Sequence, residues 1–187
     1  MDLAPEARGM VPTNRPLEMM LELTGLSPQW FRGRTILNAG SGKSHWGLDL
    51  TSKFGVIARK FENFDIRYTK RSPGRRLVGE SLLAETGGDV NALPYKDGEF
   101  DLVWCSVAPP AEQEFWRVLK PGGRVYILPV LSQGLDTFNG RIDWLIKHGL
   151  PGDADIKLVP IPPEISGKYH IGDNMLVISK PNLVRRK

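Results

Sequence analysis

The sequence has one cysteine, Cys105, and three histidines in 187 residues. A lone cysteine closes no internal disulfide, and no Cys/His spacing of a metal site is present, so neither a disulfide framework nor a metal centre is expected. No apolar run approaches the roughly 20 residues that a membrane helix needs. The opening Met-Asp-Leu-Ala-Pro-Glu has no basic patch followed by an apolar stretch, so no signal peptide is expected. Internal repeats are also missing. These absences point to a reduced, soluble, cytoplasmic protein without a membrane partner.

What is present is ordinary for a globular chain: 41% hydrophobic and 25% charged residues. The length fits one domain around one core. The expected layout is a single domain over 1–187, with a flexible arm at 1–13, a helix and connector at 14–33, and the core at 34–187. The net charge is only +4, yet Arg59, Lys60, Arg67, Lys70, Arg71, Arg75 and Arg76 crowd one stretch against Glu62 and Asp65 alone. The tail ends Arg185-Arg186-Lys187. Such clusters attract phosphate-rich partners, although a solvated loop and tail is the plainer reading.

Asn14 can cap a helix with Pro16 in its first turn, an apolar stripe of Leu17, Met20, Leu21 and Leu23, and Gly25 at its end. Thr35–Ala39 reads as a short buried strand ending in Gly40-Ser41-Gly42. A helix carrying Trp46, Leu50 and Phe54 at i, i+4 and i+8 fits next. Asp101–Val107 reads as a second strand after the turn signal Lys96-Asp97-Gly98. Pro110–Lys120 has helical spacing, Pro121-Gly122-Gly123 stops it, and Arg124–Val130 is a further strand. Asp136 or Thr137 opens another helix, with Ile142, Leu145 and Ile146, which Gly149 can end. Ile156–Ile161 and Met175–Ser179 close the chain as an antiparallel pair with no helix-length segment between them. Strands alternating with helices imply a mostly parallel sheet with covered faces, finished by an antiparallel terminal hairpin.

In such a sheet, ligands bind beyond the carboxyl ends of the strands. Gly40-Ser41-Gly42 stands at such an end, where glycines let a ligand approach the main chain. The dinucleotide fingerprint fails because His45 holds the place of its third glycine. A phosphate loop fails because residue 37 is leucine, although Gly42-Lys43-Ser44 is present. Neither hydride transfer nor nucleotide hydrolysis is supported.

Three segments carry a resemblance. Ile36–Gly42 is similar to the first motif of class I S-adenosylmethionine-dependent methyltransferases. Gly88–Tyr95 followed by Asp97–Val103 resembles that family's third and fourth strand ends. Phe115–Arg124 resembles its helix, turn and fifth strand. The interval from Gly40 to Asp89 suits an intervening helix-strand-helix. The resemblance spans residues 34 to 130 and implies the Rossmann-like, doubly wound class I methyltransferase fold with S-adenosyl-L-methionine as cofactor. On it, Gly40, Ser41 and Gly42 would cradle the amino-acid and ribose portions, and Asp89 would accept the adenine amino group beside the Val90 backbone. Ser106 and Val107 would lie beneath the methionine end. The ribose acid belongs at the end of the second strand. Asp65 fits if a helix follows Gly42, and Asp49 fits if a short loop replaces that helix. The family usually has an acid where Asn38 stands and a glycine where Ser44 stands.

Methyl transfer from an activated sulfonium needs an acceptor held in line and no obligatory base. His170, between the last two strands with Glu164, Lys168 and Tyr169, is the one candidate base. Ala108-Pro109-Pro110-Ala111 lacks the polar first and aromatic fourth residues of base-methylating enzymes and reads as a loop and helix start. With little machinery for a large acceptor, the expected acceptor is a small molecule or peptide. A protein partner or a second copy could complete the pocket. The alternatives are a non-catalytic binding module and a nucleic-acid methyltransferase using the basic 59–76 segment.

Overall fold

The structure, a computed structural model, describes residues 16–42, 46–66, 74–78, 81–106, 111–128, 145, 150, 154–169 and 171–182. Eight strands form one sheet: β1 (Thr35–Ala39), β2 (Lys60–Phe64), β3 (Gly74–Val78), β4 (Ser81–Thr86), β5 (Phe100–Cys105), β6 (Leu119–Ile127), β7 (Asp155–Pro160) and β8 (Asn174–Ser179). Their order is β3-β4-β2-β1-β5-β6-β8-β7. β4, β2, β1, β5 and β6 run parallel, while β3 pairs antiparallel with β4, and β8 antiparallel with both β6 and β7. Every residue of β1 is buried, the polar Thr35 and Asn38 included, as befits a central parallel strand covered on both faces.

Alternation along the strands sorts the core into two layers. Leu37, Ala39, Phe64, Val103, Cys105, Val125 and Ile127 pack on one face with α3 (Glu112–Val118). Ile36, Phe61, Leu102, Trp104 and Tyr126 pack on the other with α1 (Leu17–Thr24) and α2 (Trp46–Phe54). α1 ends where expected: Gly25 takes φ 65° and donates its amide to Leu21 O. Pro16 precedes that helix as its N-cap. α2 lies close on β2 and β4 because Gly47 has no side chain; a Cβ there would stand 2.5 Å from Leu83 Cδ2.

Three expectations change. Among the described residues the interval before Asp89 holds one α-helix, and β3 stands between β2 and β4 in the chain, folding back on β4 with Val78 opposite Ser81. Only Gly79-Glu80 separates those two short runs, a hairpin spacing too short for a helical crossover. The helix expected over 110–120 is trimmed to 112–118, because β6 already begins at Leu119 and carries Pro121-Gly122-Gly123, Gly122 having φ 78°. The closing antiparallel pair is present, but its connection contains a short helix, α4 (Pro163–Tyr169), with proline preset for the first turn. Asn14 and the helix expected from Asp136 lie outside the described residues, apart from the buried Leu145.

Candidate functional site

The carboxyl ends of β1, β2, β4 and β5 lie side by side, so the loops leaving them meet at one edge of the sheet. Leaving β1, Gly40 and Gly42 take φ 68° and 63°, a backbone conformation that residues with a Cβ rarely adopt. The loop is tied to the neighbouring strand. Gly40 and Ser41 both donate their amides to Phe64 O, at 2.8 and 3.2 Å. Gly42 donates to Asp65 Oδ2 at 2.8 Å. Asp65 directly follows β2 and is only 7% exposed. Such charge-assisted bonds hold a carboxylate and a loop amide in fixed relation.

Beneath the glycine loop lies a row of buried polar side chains. Asn63, Asn38 and Trp104 are register partners on β2, β1 and β5. Asn38, 1% exposed, donates its amide to Asn63 Oδ1 at 3.3 Å. Asn38 Oδ1, Ser41 Oγ and Trp104 Nε1 have no hydrogen-bond partner among the described residues. Buried polar atoms left unpaired carry a desolvation cost, so an orphaned set at a loop edge fits a ligand or bridging water.

The loop after β4 supplies the second wall. Asp89 is exposed, and its Oδ1 accepts the Asn91 backbone amide at 2.9 Å and the Asn91 side-chain amide at 3.0 Å. Val90 is buried beside it. The loop is anchored to α3: Leu93 donates its amide to Glu114, and Arg117 donates to the carbonyls of Leu93 and Tyr95. The Arg117 guanidinium, bonded to Glu114 at 2.7 Å, holds the Glu114 carboxyl below its ordinary range. On the same sheet face, burial and then the Glu62 carboxylate push the Tyr95 phenol above its ordinary range. Ser106, buried, leaves the end of β5.

The structure therefore ties Gly40 and Ser41 to Phe64 O and Gly42 to Asp65, with Asp89, Val90 and Ser106 in the loops that leave neighbouring strand ends. Asp49 is elsewhere: it lies in the first turn of α2, 3.9 Å from Lys53, and at no strand end. The short-loop alternative that would have placed it there fails because α2 occupies residues 46–54. His170 and Val107 lie outside the described residues. Beside the first of these, Lys168 and Tyr169 both bond Glu22 of α1, at 2.7 and 3.1 Å. Reading the sequence did not single out Asn63, Phe64 or Trp104. For Asn63 and Trp104 a signal existed, since each stands two residues before an expected site residue, Asp65 and Ser106, and alternation along a strand puts such positions on one face. No metal-binding group of three or more His, Cys, Asp or Glu occurs among the described residues.

Residues 35–127, from β1 to the end of β6, match the family model described as a methyltransferase domain. The ubiquinone/menaquinone biosynthesis C-methyltransferase of Citrobacter koseri is 29% identical over 147 residues, 66% of this chain and 56% of that one. The malonyl-[acyl-carrier protein] O-methyltransferase of Erwinia billingiae is 26% identical over 147 residues, 66% of this chain and 51% of that one. The chain thus spans about half the length of these curated relatives. Among solved structures, the methyltransferase in complex with the Trm112 activator of Haloferax volcanii shares the fold at a TM-score of 0.51 and 16% identity. That likeness covers 81% of this chain and 84% of that one.

Proposed function

Because this chain belongs to the class I S-adenosylmethionine-dependent methyltransferases, we propose that it transfers a methyl group to a small-molecule or peptide acceptor. One observation carries the reading: the bond from the Gly42 amide to Asp65 joins the glycine loop to an acid at the adjacent strand end.

The residues present fit S-adenosylmethionine. Asn38 Oδ1 and Ser41 Oγ, buried without a partner among the described residues, would pair with polar groups of its amino-acid end. The Gly40–Gly42 backbone is open to close approach. When bound, the cofactor supplies a methyl group on an activated sulfonium. The chain's part is to hold and orient. Asp65, its Oδ2 already fixed by Gly42, accepts the ribose hydroxyls. Asp89 holds the Asn91 turn through Oδ1 and would accept a hydrogen bond from the adenine amino group. Val90 would pack alongside, and Ser106 would lie beneath the methionine end. Positioning of this kind supplies much of the rate of a transfer that needs no base.

The relatives are named for quinone C-methylation and malonyl-carrier O-methylation, which supports a small or carrier-linked acceptor. A protein partner that completes the acceptor pocket belongs to the same proposal, since a solved neighbour is a complex with an activator protein. A second reading, a binding module without transfer, is favoured by the neutral Asn38–Asn63 pair where the family usually has an acid.

The test is a thermal-shift and calorimetric titration with S-adenosylmethionine and S-adenosylhomocysteine, followed by an acceptor screen for S-adenosylhomocysteine release. Ligand at about 100 times its Kd stabilises by about 2.7 kcal/mol. Binding followed by acceptor-dependent release supports transfer. Binding with no release from any acceptor pool moves the reading to the module, and no binding at millimolar ligand overturns transfer and leaves a module that has kept the fold without its cofactor.

A further inference from the structure

The backbone and the side chain of Phe64 touch different loops of the site. Its carbonyl accepts the amides of Gly40 and Ser41, so one oxygen holds the glycine loop. Its ring lies against Gly88, at the base of the Asp89 loop: a Cβ built on Gly88 would stand 2.7 Å from Cζ and 3.3 Å from Cε2. Gly88 does not have a left-handed φ, so what calls for glycine here is the ring and not the backbone conformation.

The ring has little freedom to yield. Tyr95 meets it edge-on at 5.9 Å and 71°, and meets Phe100 at 5.0 Å and 83°. The Lys60 ammonium lies 4.9 Å from the Tyr95 ring and pairs with Glu62 at 3.1 Å and Glu99 at 2.9 Å. Glu62 is only 2% exposed, so this ion cluster is locked into the sheet face under the Asp89 loop. Interiors packed this closely transmit a displacement and do not absorb it.

We infer that Phe64 is a positioning residue that fixes the separation of the glycine loop from the Asp89 loop, so both ends of an adenosyl ligand are gripped at once. The inference rests on the proposed function, because it names what that site requires to bind both ends together. Asp65 follows Phe64 in the chain, so the same residue also sets where the ribose acid stands.

The experiment measures Kd for S-adenosylhomocysteine and for 5′-methylthioadenosine, which lacks the amino-acid end. The proteins are wild type, Gly88→Ala, Phe64→Leu and the double variant. Gly88→Ala should weaken S-adenosylhomocysteine about tenfold and shrink its advantage over 5′-methylthioadenosine, a ratio that general destabilisation leaves alone. Leucine at 64 lacks the ring carbon that a Cβ at 88 would strike. The double variant should therefore bind more tightly than the product of the single losses.

Should Gly88→Ala not fold alone, recovery of a folded, binding protein in the double variant reads the same coupling. Independent losses, an unchanged ligand ratio, or a double variant that recovers nothing would overturn the inference while wild-type binding stands. Wild type that binds neither ligand overturns the proposed function and this inference with it.

Discussion

Gly42 and Asp65, 23 residues apart in the chain, are joined by a hydrogen bond of 2.8 Å from the glycine amide to the carboxylate. The contact exists because β1 and β2 are adjacent and parallel, with Ala39 opposite Phe64, so the residues following each strand emerge together. A carboxylate at that height, already held on one oxygen, is oriented before any ligand arrives. The link to function is therefore geometric and precedes binding.

Asp65→Ala should lower affinity for S-adenosylhomocysteine by about tenfold or more, the usual scale for losing hydrogen bonds to a charged group. Asp49→Ala should leave the affinity unchanged, since Asp49 sits on α2 beside Lys53. Isothermal titration of both variants decides the matter. Equal losses, or a loss only in Asp49→Ala, would remove Asp65 from the site.

The parallel core was legible because Thr35–Ala39, Asp101–Val107 and Arg124–Val130 are short, mostly apolar runs set off by turn residues such as Gly40-Ser41-Gly42, Asp97-Gly98 and Gly122-Gly123, a pattern that buried strands impose. Asp65 could be set ahead of Asp49 only by chain length, because a parallel crossover needs a dozen or more residues and the connection from Ala39 to Lys60, which contains α2, supplies them. β3 was not legible: Arg75-Arg76 reads as charge, which hid the short strand that, only Gly79-Glu80 away from β4 in the chain, pairs with Leu83 and Ala84. Phe64 was equally silent, since a strand phenylalanine looks like core wherever it stands. Its role depends on a carbonyl and a neighbouring glycine that only the folded chain brings to it.

Gly47→Ala should destabilise the protein without touching the ligand loops. The added methyl would meet Leu83 Cδ2 at 2.5 Å and Phe61 Cβ at 2.8 Å, so α2 must lift from the sheet. Overpacking of this kind costs about 1–3 kcal/mol. For a chain of this size that lowers Tm by about 2–4 °C for each kcal/mol, which differential scanning fluorimetry resolves. An unchanged Tm would mean that the helix is not held at this distance.

Acid should weaken the anchor of the Asp89 loop. The Arg117 hydrogen bond lowers the Glu114 pKa in the folded protein below its ordinary 4.5. The folded pKa is therefore the lower of the two, so the stabilisation is fully present above the unfolded value and is lost as pH falls through the folded one. Glu114→Gln should melt below wild type at pH 7, and the gap should close as pH drops below about 4.5. Melting curves from pH 7 to pH 3 check this. A gap that persists into acid would show that Glu114 acts through its hydrogen bond to Leu93 and not through its charge.

Asn38→Asp probes the buried row from the other side. Residue 38 is 1% exposed and flanked by Asn63 and Trp104, so burial penalises a charged aspartate and raises its pKa in the folded state. A raised folded pKa means stability present at low pH and lost as pH rises. The variant should match wild type near pH 4 and fall below it by about 3 kcal/mol at pH 7, equivalent to a rise of about two pKa units. Adding S-adenosylmethionine should then stabilise the variant more than wild type, because a cationic amino group would partner the otherwise unpaired buried carboxylate. A ligand-induced shift equal in the two proteins would place residue 38 out of the ligand's reach, and the orphaned Asn38 Oδ1 would then belong to a buried water.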